Sequence, residues 1–393
     1  MNANDTLDLM ESLGSTALDV LQRRRQLRNK LPRSFNRTEA GRYLKCDERT
    51  IEKVASELGI DWKQDKDLGI PWNLYINQMY AIRDALPPST ILKVNHKKFV
   101  RSPEQKLQVI TVQNQKGGVG KTMSVVTLST GLAVEYHQQY RILIIDMDGQ
   151  STLSSYHPSL DNVERKTIGE LISMNPNDPE FVKSVRNSIC DTITPNLKII
   201  RSDQVDRNIE SVFHSLNAKG QLQDPYTRLS RVIDAIADDF DIVFIDTPPS
   251  FGFGSINAYM AGTSVLFPLG ANENDTDATY QYMTFIPDMY ASLMGAGHQG
   301  YDFVKMLITN NTNSDTALEY IGELQNHFGP LLMANKFNHS EAVRRCSSDK
   351  YSIYEVSASS YKGPRKTFDQ AKLNADAFVG ELHAHIQQVW NKG

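Results

Sequence analysis

The chain has 393 residues, 40% hydrophobic and 22% charged, with a net charge of −4. That is the length of two or three domains and enough apolar material for a large core, so disorder as the overall class is excluded. The net charge excludes a uniformly basic coat for nucleic acid, yet its distribution is uneven. Residues 1–104 carry 18 Lys/Arg against 14 Asp/Glu, and residues 105–393 carry 24 against 32. A chain that divides its charge this way can divide its partners too.

The three cysteines, Cys46, Cys190 and Cys346, are widely spaced and form no CxxC, which argues against a disulfide framework or a cysteine metal site. The N-terminus lacks a basic segment followed by an apolar one, so no signal peptide is expected. No apolar run reaches the roughly 18 residues a membrane span needs. Residues Glu381 to Gly393 hold too little basic charge for an amphipathic anchor. The expected setting is cytoplasmic, with no membrane partner.

From Thr6 to about Lys30, apolar residues recur at steps of three and four (Leu7, Met10, Leu13, Ala17, Val20, Leu21, Leu27). The spacing predicts an amphipathic helix within residues 1–34. Its stripe can pack on its own domain or on a second subunit, and its terminal position favours a dimer contact.

Residues Asn36 to Ile60 read as two short helices. The first carries Ala40, Tyr43 and Leu44 inward; after a turn at Cys46-Asp47-Glu48, the second carries Ile51, Val54, Ala55 and Leu58. That is the pattern of a helix-turn-helix, and an ordinary helical hairpin shares it. In a DNA reader the second helix would lead with Glu48, Arg49, Thr50 and Lys53. Residues 23–53 hold 11 Lys/Arg against 4 acids, including Arg23 to Arg25, Arg28, Lys30, Arg33 and Arg37, a plausible phosphate footprint. Ile70 to Tyr75 suits a wing strand and Ile76 to Leu86 a further helix. The expected small domain, residues 35–90, is therefore a mainly α winged helix-turn-helix. Pro87-Pro88 breaks the pattern, and residues 91–104 read as a basic linker.

From residue 105 to 393 the pattern changes to short apolar runs alternating with helical stretches. The runs are Leu107–Val112, Arg141–Ile145, Asn196–Ile200, Ile242–Ile245, Ser264–Phe267 and Phe303–Ile308. The expected fold is α/β, a mainly parallel twisted sheet with helices on both faces.

After the first run stands Gln113-Asn114-Gln115-Lys116-Gly117-Gly118-Val119-Gly120-Lys121-Thr122, between a strand and a helix, the context of a phosphate-binding loop. Its glycines let backbone N–H groups face phosphates. Lys121 supplies a point charge, and Thr122 a hydroxyl for Mg²⁺. The candidate nucleotide-binding set is Lys116, Gly117, Gly118, Val119, Gly120, Lys121, Thr122 and Met123. Two carboxylate stations follow at strand ends, Asp146-Met147-Asp148 and Asp246, where ligands of such sheets bind. Asp246 suits a water-mediated Mg²⁺ contact. Of Asp146 and Asp148, one can hold a Mg²⁺-bound water and the other can orient an attacking water.

The usual loop would have glycine where Gln115 stands, and an added lysine, Lys116, opens the loop instead. This KGGxGK[ST] form, with IDMDGQ and FIDTPPSFGFGSINA, resembles the ParA/MinD superfamily of deviant Walker A ATPases. NQKGGVGKT is most similar to the ParA partition proteins, over about residues 105–393. The added N-terminal region resembles the large plasmid type, the P1 ParA and F-plasmid SopA family. The resemblance implies ATP/ADP and Mg²⁺ as ligands and ATP-dependent homodimers with possible higher-order assembly on DNA. It also implies non-specific binding to nucleoid DNA, slow hydrolysis stimulated by a ParB-type centromere-binding partner, and specific operator binding for autorepression.

By position, the resemblance makes Lys116 the signature lysine that reaches a partner's nucleotide, Lys121 the phosphate lysine and Thr122 the Mg²⁺ ligand. It makes Asp148 the residue that activates water, Asp146 a support for Mg²⁺ through water, and Asp246 the Walker B acid. The catalytic set is thus Lys116, Lys121, Asp146 and Asp148. Family members usually read D-x-D-P-Q. Gly149 stands in place of the proline and is expected to loosen the turn.

The resemblance further implies a DNA surface in the C-terminal part, for which Lys336, Arg344, Arg345, Lys362, Arg365 and Lys366 are candidates, the last three read as a loop around Gly363-Pro364. Three rivals differ in what they require. A MinD-like positioning ATPase needs a terminal membrane helix. A reductase like the nitrogenase iron protein needs two cluster cysteines. A nucleotide-switched repressor needs little hydrolysis.

Overall fold

A computed structural model describes residues 3–26, 30–62, 72–93, 97–161 and 163–392. The chain divides into two compact units, Met1–Leu31 and Pro32–Gly393. The first is built on helix α1 (Ala3–Gln26). It begins three residues before the expected start, and Leu27 and Arg28 of the expected pattern lie outside the described residues. Leu7, Met10, Leu13 and Val20 are exposed, so this described part of the expected stripe is uncovered among the described residues.

The second unit opens with strand β1 (Ser34–Phe35), then helices α2 (Arg37–Leu44) and α3 (Glu48–Glu57). Asn36 and Glu39 form a reciprocal capping box on α2, and Asp47 caps α3 through the Arg49 amide at 2.8 Å. Each cap supplies acceptors to otherwise orphaned N–H groups, worth about 1 kcal/mol. Between the helices Lys45 adopts the left-handed conformation, φ 48°. Strand β2 (Leu74–Tyr75) pairs antiparallel with β1, and α4 (Ile76–Asp84) and α5 (Pro88–Lys93) follow. Of the expected wing only its last part is described; residues 70–71 lie outside, as do residues 94–96 of the expected linker.

The remaining elements alternate. In order they are β3 (Gln108–Val112), α6 (Lys121–Val134), β4 (Ile142–Asp146), α7 (Thr152–Tyr156), α8 (Ile168–Ser173), α9 (Phe181–Asn187), β5 (Ile189–Asp191) and β6 (Leu197–Ile200). Then come α10 (Ile209–Ala218), α11 (Arg228–Asp234), β7 (Ile242–Asp246), α12 (Phe253–Ala261), β8 (Ser264–Gly270), α13 (Glu273–Gly295), β9 (Phe303–Thr309), α14 (Asp315–Phe328), α15 (Glu341–Ser348) and α16 (Arg365–Trp390). The strands form one sheet in the order β5-β6-β4-β7-β3-β8-β9. All pair in parallel except the edge strand β5, which runs antiparallel to β6. The six apolar runs are all strands.

The two-residue strand period divides the core. Ile110, Val112, Ile142, Ile144, Ile242 and Phe244 face one cluster with helices α6 and α16. Val109, Leu143, Ile145, Val243 and Ile245 face another with α8 and α11. The helical region is not set apart from this body. Phe35, Leu44, Ile51, Leu74 and Met79 belong to the same apolar cluster as the α6 face. Tyr43 Oη donates to Val134 O at 2.7 Å, and Tyr80 Oη to Ala133 O at 2.8 Å. These carbonyls end α6 and have no partner within the helix, so the two tyrosines close that end.

Candidate nucleotide site

Parallel register puts the chemistry on one level. Val112 pairs with Asp246, and Asp246 with Asp146, so the ends of β3, β7 and β4 stand side by side. Residues 113–120 leave β3 there and turn into α6. Gly118 and Gly120 take φ of 80° and 81°, a left-handed backbone that side chains resist and glycine permits. Open space lies over Gly117 and Gly118, where a bulky ligand could approach.

The loop is held from several sides. Asn114 Oδ1 accepts from the Lys116 amide at 2.9 Å, while its Nδ2 donates to Pro268 O at 2.9 Å. Thr309 Oγ1 donates to Val119 O at 2.7 Å, and Asn310 Nδ2 to Gly118 O at 3.4 Å. The sequence reading did not single out Asn114, Thr309 or Asn310. Asn310 carries a local signal, an Asn at a strand end, and adopts φ 51°.

Lys121 is buried and folds back onto Lys116 O at 3.2 Å. Burial lowers its pKa, and the charges of Asp246 and Asp148 oppose that shift. Lys116 is half-exposed, with its ammonium 3.7 Å from Asp275 at the start of α13. Thr122 Oγ1 donates to Asp246 Oδ2 at 2.7 Å. Asp246 is fully buried and its Oδ1 has no hydrogen-bond partner. Burial, then the neighbouring Asp146 charge, raises its pKa well above the usual carboxylate range. A buried carboxylate with one unused oxygen beside a threonine hydroxyl is a hard-oxygen pair. Among the described residues no cluster of three or more His, Cys, Asp or Glu could hold a metal alone. The pair therefore fits Mg²⁺, which takes few protein ligands and completes its shell with water and phosphate.

The two acids of the D-x-D differ. Asp146 is fully buried and both its oxygens are engaged. Oδ1 accepts from the Asp148 amide at 3.1 Å, and Oδ2 from the Ser154 amide and hydroxyl at 2.8 and 2.7 Å. Burial raises its pKa to about 6, with these hydrogen bonds pulling it down. Asp148 is half-exposed, and its Oδ1 accepts from the Gln150 amide at 2.8 Å. Gly149 does not leave the turn loose. Ser202 Oγ donates to Asp148 O at 2.7 Å, and Arg207 Nε to Gly149 O at 3.2 Å. Met123, the last residue of the candidate set, accepts a hydrogen bond at Sδ from Tyr156 Oη at 3.0 Å.

The candidate DNA residues lie apart from this site in sequence and on exposed elements. Arg49 and Lys53 are exposed on α3 and Thr50 is half-exposed, while Ile51, Val54 and Ala55 are buried. Arg344 and Arg345, on α15, both pair with Glu341, at 2.7 and 3.0 Å. Lys336 is half-buried. Lys362 is exposed in a loop, but Arg365 and Lys366 are not in that loop. They form the first turn of α16, because Pro364 stands at its N-cap with a φ suited to helix entry.

A protein-family model described as an AAA domain matches residues 107–294. A protein named replication protein A in Rhizobium rhizogenes is 26% identical, over 92% of this chain and 88% of the relative. Protein SopA of Escherichia coli K12 is 26% identical, over 68% of this chain and 69% of its own length. A solved structure described as a partition protein superposes with a TM-score of 0.62 at 20% identity, covering 95% of this chain and 99% of its own. The loop that opens with Lys116 and the level acids thus stand in a region, residues 107–294, that matches the AAA-domain model, in a chain similar to SopA and sharing the fold of a solved partition protein.

Proposed function

We propose that this protein is a DNA-partition ATPase that binds ATP with Mg²⁺, dimerises in the ATP state and binds DNA. One observation carries the reading. A glycine loop with Lys121 and Thr122 stands level with Asp246, whose unused buried oxygen fits a cation. The backbone N–H groups of 117–122 and the Lys121 ammonium bind the β- and γ-phosphates. Thr122 and Asp246 would hold Mg²⁺. When bound, the ion neutralises charge on the phosphate oxygens. Asp148, half-exposed beside the loop, orients water for attack on the γ-phosphorus. The bond to the ADP oxygen breaks, and the water proton leaves with inorganic phosphate. Asp146, with both oxygens engaged, positions the Asp148 turn rather than touching the metal. Lys116 exchanges Asp275 for the nucleotide of a second copy.

On this reading α1 adds apolar dimer contact through its exposed stripe. Helix α3 reads an operator with Arg49, Thr50 and Lys53, and the cations of 344–366 meet DNA without sequence preference. A ParB-type partner stimulates turnover, and operator binding represses the chain's own operon. The likeness to SopA and to a partition protein fold supports these assignments. The test is binding to specific and random duplexes with ATP, ADP and no nucleotide, across a salt series. Wild-type protein should bind random DNA with ATP and lose that binding steeply with salt. Lys121→Ala should lose the ATP dependence. Equal binding under all nucleotide conditions in wild type would sink the proposal.

A further inference from the structure

Asp148 itself is held by its amide on Asp146 Oδ1 at 3.1 Å and by Ser202 Oγ on its carbonyl at 2.7 Å. Gly149 follows it, then Gln150, then Ser151 at φ 56°. The two residues after Asp148 are braced from a distant segment, the 3₁₀ turn Gln204–Asn208 that follows β6. Arg207 reaches from it with two donors. Nε donates to Gly149 O at 3.2 Å and Nη2 to Gln150 Oε1 at 2.7 Å. Gln150 in turn donates its amide to Asp148 Oδ1 at 2.8 Å. The guanidinium thus grips the backbone and side chain of the two residues that follow Asp148, one of which fixes the Asp148 carboxylate.

Gly149 and Arg207 are matched in shape as well. A Cβ at position 149 would lie 2.8 Å from both the amide N and Cγ of Arg207, and 3.1 Å from its Cα. Backbone at that distance cannot swing aside as a side-chain tip can, so only glycine lets the 3₁₀ turn come this close. The turn is itself anchored. Asp203 Oδ1 accepts from the Gln204 amide at 2.6 Å, Asp206 Oδ2 from the Asp203 amide at 3.1 Å, and Asp206 Oδ1 from the Thr167 hydroxyl at 2.6 Å, at the start of α8. Arg207 therefore works from a fixed base onto the Gly149-Gln150 turn.

We propose that Arg207 is a positioning residue that clamps the Gly149-Gln150 turn and so aims the Asp148 carboxylate, with Gly149 the residue that admits it. The inference rests on the ATPase reading above and deepens it. A fork of two donors explains why arginine stands here, since lysine offers a single point and cannot bridge Gly149 O and Gln150 Oε1 together.

Four full-length variants test it: Arg207→Ala, Arg207→Lys, Gly149→Ala and, as control, Lys121→Ala. Steady-state ATP hydrolysis, equilibrium binding of a fluorescent ATP analogue and amide exchange of residues 147–155 without nucleotide are measured. Arg207→Ala should lower kcat about 10- to 100-fold, the range expected of small misplacement, with analogue affinity within about twofold of wild type. Exchange across 147–155 should quicken in the nucleotide-free protein. Arg207→Lys should recover part of kcat, and Gly149→Ala should lose kcat as Arg207→Ala does. An unchanged kcat in Arg207→Ala, or a loss of affinity equal to the loss of kcat, overturns the proposal. So does unchanged exchange in Arg207→Ala. If Lys121→Ala hydrolyses ATP as wild type does, the ATPase reading itself fails, whatever Arg207 shows.

Discussion

Two regions of this protein carry its expected chemistry, and they hold their charges differently. At the strand ends three groups are enclosed and bonded, Asp246 to Thr122, Asp146 to Ser154 and Lys121 to the loop backbone, while Asp148 and Lys116 are half-exposed. On the outer elements the cations are exposed, and several are already paired with local acids: Arg344 and Arg345 with Glu341, Arg365 with Asp369, Lys53 with Glu57. Enclosure makes the first set specific in geometry, because few rotamers satisfy a buried bond. Exposure makes the second set a matter of net field, and counting cations there overstates that field. Changes at the edge should be large and confined to one step. Changes outside should be small and salt-dependent.

The largest effect is expected at Asp148. Asp148→Ala removes the half-exposed carboxylate while leaving the loop and the Asp246–Thr122 pair in place. Hydrolysis should fall by about 10²-fold or more, the usual range for a positioned acid or base, with ATP binding retained. Rapid-quench hydrolysis beside equilibrium ATP binding separates the two, and normal turnover would break the assignment. The next effect tests α3. Arg49→Ala with Lys53→Ala should weaken binding to the specific duplex by about 10-fold, as loss of a base contact does, and leave random-duplex binding largely intact. Equal losses on both duplexes would mean that α3 belongs to the general phosphate surface. Deleting the whole region is a poorer test, since Phe35, Leu44, Ile51 and Met79 share the core of the α/β body.

Why the edge was legible and the rest was not follows from the same contrast. The run Ile242–Asp246 is apolar until its terminal acid, which is what a buried central strand ending at a site must be. Gly118 and Gly120, just before Lys121, are required by left-handed backbone, so their spacing is a physical signature. Strand β5 escaped because it is three residues long, antiparallel and at an edge, with a partly exposed surface and no alternating stretch. Arg365 and Lys366 read as loop because Gly363-Pro364 marks a break equally well before a helix and within a turn. Arg207 and Thr309 gave no local sign at all. Each acts on residues 40 or more positions away, and only the folded sheet brings them together. The distinct tasks of Asp146 and Asp148 were likewise invisible, since two acids one residue apart differ only by which one the fold buries.

One arrangement occurs both inside the body, at the far end of α6, and on the outer elements, and it puts enclosed against exposed charge to its sharpest test. A single carboxylate holds two cations at Glu341, with Arg344 and Arg345, and at Glu135, with Arg33 at 2.7 Å and Lys372 at 3.1 Å. Both carboxyls are held at about 2. At Glu341 the hydrogen bonds from its two arginines do this in the open. At Glu135 burial pushes the carboxyl up, and the charges and hydrogen bonds of Arg33 and Lys372 more than reverse it. Equal pKa values need not mean equal stability. Glu135 is only a quarter exposed and its partner Arg33 a tenth, so removing the charge leaves an enclosed guanidinium short of its acceptor. Glu135→Gln should cost about 2 kcal/mol at neutral pH by denaturant unfolding, little changed by salt. Because the folded pKa lies below the unfolded value near 4.5, that contribution is complete above it and lost as pH falls towards 2. The gap between wild type and variant should therefore close across that window. Glu341→Gln should leave stability unchanged. If 344–366 is a DNA surface, it should instead strengthen random-duplex binding a few-fold at low salt and steepen its salt dependence, because two arginines are released to phosphates. A stability loss at Glu341, or a pH-independent gap at Glu135, would erase the distinction between enclosed and exposed charge on which both regions have been read.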